Sequence, residues 1–391
     1  MDISAFGNTR GMLKRDEEKG YYYFVPAELP VKLDIDDELL ELLLRASKAL
    51  GGLKSLEMEF NATIGFSATL FIRPYLRKEA VLSSKIEGTV STLYDVFEAE
   101  ASLGTGKSET SRDLLEVLNY VATQERGISM IKAGSAINTV FVTELHSILL
   151  RHVRGERDRP GRIREVQNYI SRAPLPGLND AVYVPPKAEM VPEMLDNLFS
   201  YMSAGATLDI IKVALMHYQF EAIHPFLDGN GRIGRLLIML YLIRYGELGQ
   251  PLLYMSAYFE RNRDEYYKLL LEVSKSGRYA EWVKFFAKGI IEQSESALSK
   301  SSRLFEYHRE ITEKLKETGR STALTLADTL FTHPIITISM AAKLMGVSYP
   351  AAKASVYEAV GLGILQQHEG SGSTNRKKRF VAREILEIYD A

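Results

Sequence analysis

The chain has 391 residues, of which 46% are hydrophobic and 25% charged, with 48 Lys and Arg against 50 Asp and Glu for a formal net charge of −2. That is the make-up of an ordinary globular protein with enough length for two or three cores, and the near-neutral balance excludes a bulk polyanion-coating role. The absence of cysteine removes disulfides, thiolate zinc sites and thiol nucleophiles, and fits a reducing compartment.

The opening residues, Met1 to Gly7, carry no charged-then-apolar leader pattern, and no apolar stretch is long enough to span a bilayer. Cytoplasmic residence and no membrane partner are therefore expected. An extended, tyrosine-rich stretch, Tyr21 to Pro26, follows and reads either as a binding surface or as an arm packed on the core. Asp34 to Leu50 has leucines at helical spacing, acids at its start, and Gly51-Gly52 as its predicted stop. Helical periodicity returns over Phe71 to Leu76 and Ile86 to Glu100, and Gly104 to Ser108 reads as a loop. Further helices are expected over Asp113 to Ile131 and Asn138 to Leu150.

Between Pro160 and Pro186 the character changes. Two β-prone pieces, Gln167 to Ile170 and Val182 to Val184, flank Pro174-Leu175-Pro176-Gly177, which predicts a hairpin or flap. The arginines 151, 154, 157, 159, 162 and 164 are interleaved with Glu156, Asp158 and Glu165. They read as a polyanion patch or, more simply, as a self-compensating loop. Helices resume over Val191 to Met202, Leu208 to Glu221, Gly231 to Tyr245 and from Glu265, and Trp282 to Thr318 reads as one long helix or two joined ones.

The stretch from His224 to Arg235, HPFLDGNGRIGR, concentrates chemistry. An imidazole accepts a proton near neutral pH, and Asp228 is a hard oxygen ligand suited to magnesium, which is held by one or two carboxylates plus substrate phosphates. Gly229, Gly231 and Gly234 allow sharp turns and close approach to a polyphosphate. Arg232 and Arg235 share a helix face, and planar guanidiniums suit phosphate oxygens. The apolar run after them predicts a buried helix whose first-turn amides lack partners and favour an anion. His217 lies seven residues before His224. A metal pair is one reading of the two and a core histidine the other, and no third ligand is evident.

The last seventy or so residues differ in kind. Ile338 to Leu344 reads as a short helix, Gly346-Val347-Ser348 as a turn, and Pro350 as the first turn of a second helix through Ala359. A strand entered at Gly361 to Leu365, a glycine tip at Gly370 to Gly372 and a basic return, Arg376 to Val381, complete the pattern of a winged helix-turn-helix. Its second helix offers Lys353, Ser355 and Tyr357 but little that reads bases, so DNA and protein partners both stay open.

These segments together resemble the Fic-domain family, whose members mostly transfer AMP from ATP to protein hydroxyl groups. The loop 224–235 is similar to that family's signature, and Ser83 to Gly88 (SSKIEG) to its inhibitory motif. Gly161 to Pro186 resembles the flap before the catalytic loop, and Ser256-Ala257-Tyr258 with Asn262-Arg263 and Tyr266-Tyr267 is a further match. The resemblance implies a mainly α fold, with a Fic helical core, a small β-hairpin flap and a C-terminal winged helix-turn-helix. It also implies an N-terminal helical region over 1–125 carrying the inhibitory motif, a catalytic core over 126–300, and a connecting helix with the winged helix over 301–391.

By the same resemblance His224 is the general base, Asp228 holds Mg2+, and Phe226 anchors the loop. Gly229, Asn230, Gly231, Arg232, Ile233, Gly234 and Arg235 bind the nucleotide, with Arg232 and Arg235 on the outer phosphates. Asn262 and Tyr266 lie near the adenine, and the flap residues Gln167, Asn168, Tyr169, Ile170 and Ser171 pair with the target's main chain. Ser83, Glu87 and Gly88 form the inhibitory element, Glu87 pairing with Arg235 and so intruding on the nucleotide site. The implied function is a protein adenylyltransferase acting on Ser, Thr or Tyr of a target protein, itself included. The alternative is a DNA-binding regulator with a nucleotide-responsive Fic core, and a homodimer fits the family.

Overall fold

A computed structural model describes residues 1–7, 10–62, 69–102, 111–153, 159–171, 181–205, 207–245, 248–319, 321–368 and 378–390. The predicted loop at 104–108, the flap tip 174–177, the wing tip 370–372, and Arg154, Glu156, Arg157, Asp158, Arg376 and Lys377 lie outside them.

After a 3-10 turn at Ile3–Ala5 comes an antiparallel pair, β1 (Met12–Arg15) and β2 (Tyr22–Val25), in which Met12 faces Val25 and Arg15 faces Tyr22. Helices α1 (Asp37–Ala62), α2 (Thr69–Ile86), α3 (Leu93–Ser102), α4 (Arg112–Lys132) and α5 (Thr139–Leu149) follow. After the flap come α6 (Val191–Ser203), α7 (Asp209–Ile223), α8 (Asn230–Arg244), α9 (Ser256–Arg261), α10 (Arg263–Ser276) and α11 (Tyr279–Lys316). The chain ends with α12 (Ala323–Thr332), β3 (Ile335–Ile336), α13 (Ile338–Met345), α14 (Tyr349–Gly361), β4 (Gln366–His368), β5 (Arg379–Val381) and α15 (Arg383–Asp390). The fold is mainly α.

The described residues fall into two compact units: one within 1–54, 82–88 and 119–294, the other within 55–81, 89–118 and 295–391. The first unit is built on α7 and α8. Both are apolar nearly all round and buried along almost their whole length, as a helix at the centre of a core must be. Their six-residue connection, 224–229, is short enough to make them antiparallel neighbours. Trp282 of α11 packs on α7 and donates its indole N–H to the Ala214 carbonyl at 2.8 Å. The tyrosine-rich stretch forms β2 and packs on the core: Tyr23 and Phe24 are buried, and the Phe24 amide donates to the Val184 carbonyl at 2.9 Å.

In the second unit, Arg73 and Arg77 of α2 share Glu100 of α3 at 3.1 and 3.0 Å. Tyr75 meets Tyr389 of α15 edge-on. Helices α13 and α14 are joined at Gly346, whose positive φ of 65° ends α13, and the sheet beside them has strand order β3-β5-β4.

Two local expectations are corrected, and the flap pairs as expected. Helix α1 runs through Gly51-Gly52 to Ala62, because Leu50 and Leu53 are buried on its core face. The helix cost of two glycines, about 1 kcal/mol each relative to alanine, is outweighed by that burial. The segment 86–100 is not continuous helix. Helix α2 ends at Ile86 and α3 starts afresh after Thr92, which forms a reciprocal cap with Asp95 at 2.8 and 3.2 Å. The β-prone pieces of the flap meet in one antiparallel bridge, Ile170 with Tyr183.

Candidate active site

Helix α7 ends at Ile223, and His224 caps it in the left-handed region at φ 50°, ψ 61°. A histidine there, just before a proline, is held against its preference and needs outside support. The support comes from the flap. Arg164 donates from Nε to the His224 carbonyl at 2.9 Å and from Nη2 to the Pro186 carbonyl, and its amide donates to the Pro225 carbonyl at 2.9 Å. Asn168 donates from Nδ2 to the carbonyls of His224 and Phe226 at 3.2 and 2.9 Å. From the other side Asn230 accepts the Phe226 amide and donates to its carbonyl, both at 2.8 Å. Phe226 itself is fully buried.

The imidazole of His224 has a defined orientation. Its Nδ1 lies 3.1 Å from the Glu221 carbonyl, which can only accept, so Nδ1 carries the proton and Nε2 is left as the acceptor. Burial pushes the pKa of His224 down to about 4, against the opposing effects of the Glu221 carbonyl and the nearby carboxylates Glu87 and Asp228. At neutral pH the ring is therefore neutral and able to take a proton.

Helix α8 begins without a side-chain cap. Gly229 precedes it at φ 79°, and the Gly229 amide is taken by its neighbour Asp228, whose Oδ1 lies 2.6 Å away. The amides of Asn230, Gly231 and Arg232 belong to the first turn, where no intrahelical acceptor exists. Arg232 and Arg235 are 3% and 2% exposed. Burying two guanidiniums at a helix start concentrates positive potential at one spot. Asp228 offsets part of it, 3.5 Å from Arg232, and keeps a third of its side chain exposed. Both of its hydrogen bonds end on Oδ1, which suits one ligand to Mg2+ completed by phosphate oxygens. No group of three or more His, Cys, Asp or Glu among the described residues is arranged to hold a metal by itself.

Glu87 lies one residue beyond the end of α2, where Gly88 turns the chain at φ 103°. Arg235 donates from Nη2 to Glu87 Oε1 at 2.6 Å and to the Ser83 carbonyl at 2.9 Å, and from Nε to Ser83 Oγ at 2.9 Å. Burial alone would raise the Glu87 pKa, but the charge and hydrogen bond of Arg235, with Arg232 behind it, bring it below the usual carboxylate value. A methyl group at Gly231 would collide with Glu87 Oε1, so this carboxylate rests directly on the first turn of α8. Glu87 thus sits where an incoming anion would bind.

A second acid, Glu221, packs against Gly234, with Oε1 buried and without a hydrogen-bond partner. Burial, and to a smaller extent Glu87, outweigh Arg235 and push its pKa up to about 8. One guanidinium is thus flanked by one ionised and one protonated carboxyl group.

The other predicted residues are distributed as follows. Ile233 is wholly buried and its amide is spent on the Gly229 carbonyl, so it supports the helix start from behind. The Asn230 side chain is engaged with Phe226, which leaves only its backbone for an anion. Gln167 donates to the Pro185 carbonyl at 2.9 Å, Tyr169 and Ile170 are exposed, and Ser171 is half-buried. Asn262 turns its amide back to the Tyr258 carbonyl at 2.9 Å. Tyr266 is 1% exposed and its hydroxyl pairs with His217 Nε2 at 2.8 Å, away from solvent. His217 is stacked among Phe259, Tyr266 and Trp282 and belongs to the core.

Sequence reasoning missed His146, and it missed the brace formed by Arg164 and Asn168. His146 stacks on Phe226 at 3.8 Å and reaches the Asp228 carbonyl at 3.0 Å. All three reach main-chain groups of the catalytic loop 56 to 82 positions away, and nothing in the sequence marks such pairings.

Residues 136–242 match a family model described as the Fic/DOC family, and residues 40–129 match one described as Fic/DOC family N-terminal. The chain belongs to the Fic/DOC family. The 224–235 loop lies in the first match and Glu87 in the second. Among curated relatives, protein adenylyltransferase fic-1 of Caenorhabditis elegans is 32% identical over 162 residues, which is 40% of this chain and 28% of the relative. A probable protein adenylyltransferase of Aquifex aeolicus is 33% identical over 96 residues, 24% of this chain and 28% of the relative. Protein adenylyltransferase Fic of Nematostella vectensis is 27% identical over 246 residues, 60% of this chain and 51% of the relative. The chain thus spans between a quarter and a half of the length of these relatives. The crystal structure of a Fic family protein from Desulfovibrio desulfuricans G20 superposes over 90% of this chain and 97% of its own, with a TM-score of 0.57 at 21% identity, which shows a shared fold.

Proposed function

We propose that this Fic-family chain is a protein adenylyltransferase, moving AMP from ATP to a Ser, Thr or Tyr hydroxyl of a target protein or of itself. We propose further that Glu87 restrains it by occupying Arg235. The observation that carries the reading is an imidazole with Nε2 bare, beside an uncapped helix start that holds two buried arginines. The names of the relatives support it.

In this reading the triphosphate lies on the first turn of α8, its outer oxygens on Arg232 and Arg235. His224 Nε2 takes the hydroxyl proton. The hydroxyl oxygen bonds to the α-phosphorus, the α–β bridging P–O bond breaks, and pyrophosphate leaves. Asp228 is the residue that would hold Mg2+, which supplies charge neutralisation on the phosphates. Alignment and charge already in place account for most of the rate, as in phosphoryl transfer generally. Arg164 and Asn168 keep the His224 backbone in its unfavourable conformation, and Gln167 to Ser171 present the edge on which a target segment would pair.

Glu87 blocks the outer-phosphate position by salt bridge and by bulk. A charge-assisted pair of this kind contributes about 1.5–3 kcal/mol, which is roughly a ten- to hundredfold restraint. We assign residues 1–125 to the inhibitory region, 126–300 to the catalytic core, and 301–391 to a connecting helix and a winged helix-turn-helix. A homodimer and a cytoplasmic setting belong to the same proposal, the latter resting on the cysteine-free sequence.

The rival reading, a DNA-binding regulator, draws support from α14, where Tyr349, Lys353 and Tyr357 form an exposed stripe at four-residue spacing. It is weakened at the return strand, where Arg379 is engaged by Glu98 and by Ser102 Oγ. Incubation of the pure protein with labelled ATP and Mg2+, and separately with DNA, distinguishes the two. Label on protein without DNA supports the enzyme. A salt-dependent DNA shift without label supports the regulator.

A further inference from the structure

His146, on α5, is buried between two segments of backbone that both serve the site. The Gly161 amide donates to its Nδ1 at 2.9 Å, so Nδ1 is the acceptor and the proton sits on Nε2. That Nε2–H then donates to the Asp228 carbonyl at 3.0 Å. One ring thereby ties the start of the flap to the residue that precedes Gly229. Its face lies 3.8 Å from the Phe226 ring at an interplanar angle of 7°. Gly161 has φ 79°, and a Cβ there would crowd Ser147 at 3.0 Å and the Thr143 carbonyl at 3.2 Å, so the flap root sits tightly on α5 beside His146.

We infer that His146 is a positioning residue that sets the register between the flap and the catalytic loop. The flap carries Arg164 and Asn168, which clamp the His224 carbonyl, and the loop carries Asp228 and Gly229, which shape the helix start. A sliding of one against the other would move the target's main chain relative to Nε2 of His224 while leaving both arginines in place. Only a group with an acceptor and a donor about 2 Å apart, rigidly opposed, satisfies both backbone partners at once, and a neutral imidazole is such a group.

The inference rests on the adenylyltransferase reading for its kinetic consequence, but its structural content is separable. Two variants of the full chain, each on the Glu87→Gly background, divide packing from hydrogen bonding. His146→Leu keeps an apolar side chain against Phe226 and loses both bonds. His146→Gln loses the stack and keeps one acceptor and one donor at similar separation. Hydrogen–deuterium exchange is followed in the peptides covering 159–171 and 226–232, together with the maximal auto-labelling rate and the half-saturating ATP concentration.

In His146→Leu we expect faster exchange in both peptides and a maximal rate about tenfold lower, the loss of roughly one to two hydrogen bonds, while half-saturating ATP changes less than threefold. His146→Gln is expected to recover most of the exchange protection and rate. Equal behaviour of the two variants, or unchanged exchange in His146→Leu, overturns the inference. Should no variant label at all, the adenylyltransferase reading fails, and the exchange data still decide the role of His146. Should His146→Leu not fold, the nitrogen shifts of selectively labelled histidine in the unaltered protein decide it. An Nε2–H tautomer at His146 with a slowly exchanging proton supports the register role, and an Nδ1–H tautomer contradicts it.

Discussion

Two helix starts in this chain differ in how their end groups are satisfied. Helix α14 begins after Ser348, whose hydroxyl accepts the Ala351 amide, and has Pro350 in its first turn. Its Ala351 amide is capped and Pro350 has no amide hydrogen to satisfy, so little of this start is open to an anion. Helix α8 begins after Gly229, with no side-chain cap, and puts two buried guanidiniums within its first two turns. A capped start is a joint between elements. An uncapped start with buried cations leaves unmet demand for an anion, and here Glu87 meets it from within the chain. The lesson is that local satisfaction, more than position on a helix, separates a site from a scaffold.

The sharpest way to break this contrast is to remove the base. His224→Ala is expected to lower transfer by about 100- to 10,000-fold, the usual contribution of a general base, while ATP binding is mostly retained. Labelling and equilibrium ATP binding measured on the same sample check it. Next comes the internal anion. Glu87→Gly is expected to raise auto-labelling by about ten- to hundredfold, since Arg235 is then released to phosphate. An unchanged rate would remove the restraint model.

Acid should affect the catalytic region strongly. His146, His217 and His224 have folded pKa values lowered by burial to about 4, 3 and 4, below the unfolded value near 6.5. The unfolded chain therefore binds protons that the folded chain refuses, so stability is full above about pH 6.5 and falls as the pH drops toward 4. Each imidazole contributes up to about 1.4 kcal/mol per pH unit. Glu221 has the opposite sign. Its folded pKa is raised to about 8, so it favours the folded state at low pH and loses that contribution as the pH rises through 8. Thermal melts across this range should show an acid limb, and Glu221→Gln should remove an opposing slope between about pH 4.5 and 8, making that limb steeper where the two windows overlap. The smallest effect is expected at the closed start. Ser348→Ala should cost about 1 kcal/mol in stability and leave labelling unchanged.

How much of this was legible in one dimension depended on where each partner came from. The 224–235 loop could be read because its turn, its helix start and both arginines lie within twelve residues and obey helical spacing. Glu87 could be read only through a resemblance, because its meaning depends on Arg235, 148 positions later. His146, and the bracing roles of Arg164 and Asn168, could not be read. They bond carbonyls and amides, which every residue carries, so nothing in composition or periodicity reports them. The resemblance puts Tyr266 near the adenine, yet its hydroxyl is satisfied by His217 inside the core. Gly51-Gly52 misled for the reverse reason, since a local breaker is overridden when Leu50 and Leu53 have a core to enter.

Intact-mass and peptide mass spectrometry after incubation with ATP and Mg2+ tests the central claim most directly, comparing the unaltered chain, Glu87→Gly, and Glu87→Gly with His224→Ala. The account predicts an added AMP on a Ser, Thr or Tyr of the Glu87→Gly protein, much less on the unaltered chain, and none once His224 is also replaced. Adenylylation that persists without the His224 imidazole, or a Glu87→Gly protein that stays unmodified, would contradict it.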